Sequence, residues 1–132
     1  MNKSTRVYYA VLAGILLAVE FAIALWAHGF LRDYFGDVLV IPLIYCLIRV
    51  FTEKLPRLLP VLVCSLGFLA EFLQSIHLVD LLGLRHDSAL AIAIGTKFSW
   101  TDIVCYIAGM LLIYLGICLR TASRNRLKGE TA

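Results

Sequence analysis

Charged residues are scarce in this sequence, and their scarcity argues against a soluble globular protein. Of the 132 residues, 16% are charged and 61% are hydrophobic, and the mean hydropathy is +0.89. Soluble domains contain about 25% charged residues on average. The composition therefore predicts an integral membrane protein of a single domain.

The sequence also lacks the motifs of common enzyme and metal sites. It has no H-E-x-x-H motif, Ser-His-Asp arrangement, nucleophile elbow or phosphate-binding glycine loop. A metal site built from Glu71, His77 and Asp102 is an alternative that no ligand spacing supports. We therefore predict no metal or other cofactor, and leave open whether the protein is an enzyme.

The cysteines show no C-x-x-C spacing, and each lies in an apolar run. This pattern is typical of inert, buried thiols rather than of a disulfide or zinc framework. The cysteines are Cys46, Cys64, Cys105 and Cys118.

Long apolar runs predict an all-α, polytopic bundle of four transmembrane helices, since about 20 residues cross a bilayer core of about 30 Å. The first run is too long for a cleaved signal peptide and contains Glu20. Residues 29–36 read as a polar connection, and Pro42 then falls near the start of the second helix. The expected spans are about 7–27, 37–52, 58–79 and 100–119, with a basic, frayed tail over 120–132.

The connection before the last span contains a short apolar segment, 88–95. Eight helical residues cover about 12 Å and cannot cross a bilayer. The segment is therefore either an interfacial helix or a re-entrant turn.

The basic residues predict the orientation and exclude a nucleic-acid partner, because they lie in short loops and the tail rather than along one soluble face. By the positive-inside rule, both termini and the middle loop are expected to be cytoplasmic. The larger, cytoplasmic group is Lys3, Arg6, Arg49, Lys54, Arg57, Arg120, Arg124, Arg126 and Lys128, and the outer group is Arg32, Arg85 and Lys97.

Glu71 lies well inside the third span, where a carboxylate costs roughly 2.5–3.5 kcal/mol on insertion scales. In the predicted topology it occupies the outer half of the bundle, at the same level as Asp37 and Asp102. Helical spacing places the members of each polar pair on one helix face. The pairs are Asp33 and Asp37, Glu71 and Gln74, and Asp102 and Tyr106, and the small Gly109 on the last face allows a neighbouring helix to approach closely. The candidate site residues are Arg32, Asp33, Asp37, Glu71, Gln74, Asp102 and Tyr106.

Two interpretations of this polar group stay open. In the first, Arg32 pairs with one of the carboxylates, and the polar side chains only tie the helices together. In the second, the intramembrane carboxylates form a functional site. Glu20 either joins the group or pairs with Arg32.

Three motifs in order resemble one family of small bacterial membrane proteins. They are Arg32-Asp33-Tyr34-Phe35-Gly36-Asp37, Glu71-Phe72-Leu73-Gln74, and Phe98-Ser99-Trp100-Thr101-Asp102 followed by Tyr106 and Gly109. Over residues 7–119 the chain resembles domain-of-unknown-function family 2809, which is itself similar to the VanZ-like superfamily of glycopeptide-resistance membrane proteins.

The resemblance implies roles for a few residues. The VanZ-like pattern carries over to Glu71, Gln74 and Asp102, and Arg85 corresponds to its intervening arginine. Tyr106 stands where that pattern has asparagine, so the chain departs from it there.

Three functions follow as hypotheses. The first is a protein with an outward-facing polar pocket that binds or modifies an envelope component, such as a lipid-linked precursor. The second is a small proton-coupled transporter working as a dimer, and the third is a purely structural membrane subunit. The lipid bilayer is the expected environment, and the oligomeric state is open.

Overall fold

The computed structural model describes residues 3–52, 57–85, 87–88 and 98–130. The helices within these ranges are α1 (Lys3–Trp26), α2 (Phe30–Phe51), α3 (Leu59–Ser75), α4 (Leu78–Leu81) and α5 (Trp100–Glu130). The all-α prediction is confirmed for this part of the chain. The expected interfacial or re-entrant segment lies, except for Ser88, outside the described residues.

Three of the helices are long and apolar enough to cross a membrane: Lys3–Trp26, Phe30–Phe51 and Trp100–Leu127. The first has 24 residues, or about 36 Å at 1.5 Å per residue. Helix α3 is equally apolar but has only 17 residues, or about 25 Å. The structure thus shows a helical, membrane-embedded protein with three clear candidate spans and, in α3, a shorter apolar helix.

The outer surface of the bundle is strongly apolar. Large hydrophobic side chains point away from the bundle, including Phe21 at 66% exposure and Phe51 at 78%. A soluble monomer rarely exposes such continuous apolar area, whereas a bilayer covers it at no cost.

Helix α2 is the centre of the bundle, since α1 and α5 both pack against it. Helix α3 packs mainly against α5. Ile41 of α2 and Val63 of α3 are almost fully buried in the core. The buried core is built from side chains of α1, α2, α3 and α5.

Helix α2 starts earlier than the apolar run suggested. Residues 30–36, interpreted above as part of a polar connection, form its first turns. The interpretation was wrong because a polar stretch that begins a helix has the same hydropathy as a loop. Pro42 consequently lies in the helix interior, not near its start.

The interior proline shapes the contact between α2 and α5. Proline has no N–H, so the carbonyl of Val38 loses its usual helical donor. A Cβ on Gly109 of α5 would collide with this carbonyl oxygen and lie 3.0 Å from Cβ of Ile41. The predicted close approach at Gly109 is confirmed, because only a glycine lets α5 pack on this part of α2.

Two helix ends also differ from expectation. Helix α3 stops at Ser75, and His77 adopts a left-handed conformation with φ 53° before the short α4, so the run to residue 79 is interrupted. At the other end of the chain, α5 continues to Glu130. The tail that was expected to fray is helical over its described part.

Candidate functional site

Glu71 is the most buried charged side chain of the described residues, with 1% of its surface exposed. Its Oε2 accepts a hydrogen bond from the backbone N–H of Ser99 at 3.0 Å. Its Oε1 accepts one from the Tyr106 hydroxyl at 3.3 Å. Both carboxylate oxygens are therefore held by donors from the start of α5.

Ser99 caps α5 in an unusual way. Its Oγ accepts the N–H of Asp102 at 3.3 Å, which is one half of a capping box. In a standard box the acidic residue of the first turn would accept the N–H of the capping residue. Here Glu71 of α3 accepts the Ser99 N–H instead. The side chain of Asp102 does not make this contact and faces other groups.

Asp102 faces Asp37 of α2. The two side chains lie close enough to interact, and Glu71 and Glu20 both lie within electrostatic reach of Asp37. Neighbouring carboxyl groups repel one another when they are ionised. These two positions therefore form a locally acidic site.

Glu20 joins the same region from α1, which answers the question that its sequence position left open. A Cβ on Gly36 would lie 3.6 Å from its Oε2, so the side chain reaches the face of α2 just before Asp37. Its Oε1 is buried and has no hydrogen-bond partner in the described structure. Glu20 thus brings an unsatisfied acceptor to the interface of α1 and α2.

These four side chains, Glu20, Asp37, Glu71 and Asp102, are called the carboxyl cluster below. They come from α1, α2, α3 and α5, and meet at the end of the bundle where α2 and α5 begin. No lysine or arginine of the described residues forms an ion pair with them. Carboxyl groups gathered in this way without a basic partner attract protons and cationic groups.

Other predicted site residues lie outside the carboxyl cluster. Arg32 and Asp33 are exposed at the start of α2, and neither pairs with a side chain in the part of the chain that is described. Gln74 is half-buried, one turn beyond Glu71. The pairing of Arg32 with a carboxylate, one of the two interpretations left open above, is therefore not found among these residues.

His77 is separate from the cluster as well. Its side chain is 73% exposed and lies 3.9 Å from the Asp80 carboxylate. No group of three or more metal-binding side chains is suitably arranged among the described residues. His86, the other histidine of that region, lies outside the described residues.

Two contributors to the site were missed in the sequence. A Cβ on Gly67 would lie 2.8 Å from the Tyr106 ring, so the missing side chain is what lets the ring pack on α3 and its hydroxyl reach Glu71. Ser99 contributes a backbone N–H. The capping pattern Ser99-Trp100-Thr101-Asp102 would have indicated Ser99, whereas nothing in the sequence indicates the contact of Gly67.

The apolar helices and the carboxyl cluster together define a class, that of multi-helix membrane proteins with ionisable groups inside the bundle. The chain belongs to the family described as "Protein of unknown function (DUF2809)", whose profile matches residues 26–110. That match contains α2, α3 and the first turns of α5, and with them Asp37, Glu71 and Asp102. No curated protein and no solved structure matches the chain.

Proposed function

We propose that the protein is a bacterial inner-membrane protein whose carboxyl cluster forms an outward-facing pocket for a component of the cell envelope. The observation that carries the proposal is the meeting of four carboxyl groups from four helices without a basic partner among the described residues. Structural packing alone does not require carboxyl groups to gather in this way, and ionisable groups inside a membrane are functional candidates by default.

The proposed topology has four spans with both termini cytoplasmic. Helix α3, with 17 residues, is at the lower limit of about 17–25 residues for a span. Basic residues lie at the start of α1 and toward the ends of α2 and α5, which share one end of the bundle. The positive-inside rule favours a cytoplasmic position for that end. The carboxyl cluster, at the opposite end, then faces the outer leaflet.

The proposed ligand has an anionic and a cationic or proton-donating part, as a lipid-linked envelope precursor does. The cluster would receive the cationic part or exchange protons through Glu71 and Asp102. Arg32, exposed at the same end of α2, would meet a phosphate or carboxylate. The resemblance of the Glu71, Gln74 and Asp102 pattern to VanZ-like proteins supports an envelope role related to glycopeptide resistance.

The proposal is tested by replacing the chromosomal copy with Glu71→Gln or Asp102→Asn. Sensitivity to teicoplanin and other envelope-directed antibiotics is measured together with membrane abundance. We expect altered sensitivity at normal abundance for both variants. The matched control is Asp33→Asn, an exposed carboxylate on α2 outside the cluster, which should behave like the wild type.

Unchanged sensitivity in both variants would contradict the pocket proposal. A change that only follows reduced abundance would also contradict it, and would favour a purely structural membrane subunit.

A proton-coupled transporter, working as a dimer, is the second candidate, and the unsatisfied Oε1 of Glu20 favours it. A carboxyl group without a partner on the first helix suits a proton carrier. A proton-driven efflux assay separates the two functions, since Glu20→Gln should abolish export only in a transporter. The end-of-bundle position of the cluster is less suited to alternating access, which places the site near the midplane.

A further inference from the structure

A second site lies at the opposite end of the bundle, in the groove between α1 and α5 over α2. An apolar cavity of about 210 Å³ is lined there by side chains including Leu12, Leu16, Pro42, Cys46 and Ile113. A second cavity of about 260 Å³ has a polar lining that includes Arg49, Arg120 and Arg124. The two cavities share Tyr9 and Arg120, so they form one continuous groove.

Arg49 is the feature that points to a ligand. Its side chain is more than nine-tenths buried, at 8% exposure, and its Nε has no hydrogen-bond partner among the described residues. Among the described residues, its NH1 donates to the Thr52 carbonyl at 3.3 Å. A buried guanidinium with an unused donor costs free energy unless an anion completes it.

The aromatic rings at this end hold two of the guanidinium groups in place. Arg49 lies 5.0 Å from the centre of the Tyr9 ring. Arg120 lies 4.2 Å from the Tyr8 ring and 5.2 Å from the Tyr9 ring. Stacking on a ring face leaves the N–H edge of a guanidinium free to donate to a phosphate.

No carboxylate from the described residues lines the basic end of the groove. Its other polar lining groups are hydroxyls, including those of Thr5 and Thr121. Three guanidinium groups with hydroxyl neighbours and no acidic partner are complementary to a phosphodiester.

The groove continues from these cations along the helices toward the middle of the bundle. From Thr5 to Leu16 on α1, its lining extends for about 16 Å at 1.5 Å per residue. A charged end followed by an apolar channel matches a headgroup at the membrane surface with an acyl chain directed inward. A free phosphate would occupy only the charged end of the groove.

We propose that this groove binds an anionic phospholipid of the cytoplasmic leaflet, with its phosphate on Arg49, Arg120 and Arg124 and an acyl chain along Leu12 and Leu16. That leaflet carries the anionic lipids that attract basic residues close to the membrane surface. The site is separate from the carboxyl cluster and does not depend on the function proposed for it.

The test is native mass spectrometry of the purified chain in a non-ionic detergent. Phosphatidylglycerol and phosphatidylcholine with identical acyl chains are titrated separately, and inorganic phosphate is added as a third arm. We expect phosphatidylglycerol to bind about tenfold more tightly than phosphatidylcholine. Inorganic phosphate should not compete at matched concentration, because it lacks the chain that fills the apolar part.

The key variant is R120Q/R124Q, which should weaken phosphatidylglycerol binding by about tenfold. Its control is R6Q/R126Q, which removes the same charge from the same end of the bundle at positions that do not line the groove. This control should bind like the wild type.

A further variant, Gly116→Leu, tests the apolar part. Gly116 lines the groove and a Cβ there would meet nothing within 4 Å, so a leucine side chain at this position has room to enter the groove. It should weaken lipid binding with all the arginines retained, at an unchanged melting temperature.

Equal binding of the two lipids would overturn the proposal, as would equal losses in the two double variants. If inorganic phosphate competes with phosphatidylglycerol and Gly116→Leu binds the lipid normally, the groove is an anion site that holds no acyl chain. That result would also overturn the proposal.

Discussion

At the scale of single residues, the site depends on Glu71 and on what its two oxygens accept. One donor is a backbone N–H and the other is the Tyr106 hydroxyl. An intramembrane carboxylate with two such donors is firmly positioned. Positioning of this kind serves a functional group, and it also links α3 to α5.

Tyr106→Phe tests this link, because it removes the hydroxyl and retains the ring. We expect a loss of about 1 kcal/mol in the free energy of unfolding, the usual range for one interhelical hydrogen bond in a membrane. Thermal or denaturant unfolding in detergent measures it.

The matched test is the double variant of Tyr106→Phe with Glu71→Leu, because leucine, unlike glutamine, offers the hydroxyl no acceptor. The two effects should be clearly non-additive, since both substitutions affect one contact. Simple addition would contradict the direct hydrogen bond.

Much of the carboxyl cluster could be predicted from the sequence. Glu71 was recognisable because a carboxylate inside an apolar run needs a partner, and Asp37 and Asp102 because they lie near the ends of neighbouring apolar runs. Ser99 and Gly67 were missed, since one acts through its backbone N–H and the other through the absence of a side chain. Whether Arg32 pairs with a carboxylate was left open, because charge alone does not reveal which way a side chain points.

At the scale of the helices, the crossing of α2 and α5 sets the geometry of the site. Pro42 and Gly109 meet there, and Asp37 and Asp102 lie on the same two helices nearer their starts. The close approach at Gly109 was predictable from its position on the face of Asp102 and Tyr106. The beginning of α2 was not, because a polar helical turn and a polar loop have the same composition.

Gly109→Ala should force the two helices apart. The added Cβ would meet the Val38 backbone oxygen, and a backbone cannot yield as a flexible side chain does. We expect a loss of about 1–3 kcal/mol, typical of overpacking, measured as the change in unfolding free energy.

Gly14→Ala is the control for this prediction. A Cβ at Gly14 of α1 would meet nothing within 4 Å, so its stability should be unchanged or slightly raised, as alanine favours a helix. Equal effects at the two glycines would contradict the close crossing.

At the scale of the whole molecule, the main question is how many times the chain crosses the membrane. Composition and hydropathy were sufficient to predict an all-α membrane protein. They were not sufficient to count the spans, because the third apolar run is divided by the left-handed His77 and leaves α3 with 17 residues. A helix of this length crosses only if the bilayer thins or the flanking residues adapt.

Reporter fusions at the two termini show whether the number of spans is even or odd. With four spans, green fluorescent protein should fluoresce at either end, and alkaline phosphatase should be inactive at both. If α3 does not cross, the termini lie on opposite sides, and phosphatase activity at one end would show this.

The most direct test of the central claim is the melting temperature of Asp102→Asn and Asp37→Asn in detergent, with Asp33→Asn as control. The claim is that Asp37 and Asp102 of the carboxyl cluster are kept for function and give no net stability. Each amide removes a negative charge from a group of neighbouring carboxyls, so we predict an unchanged or higher melting temperature. A fall of about 3 °C or more in both variants, equivalent to about 1 kcal/mol, would contradict the claim and show that these carboxyl groups hold the helices together.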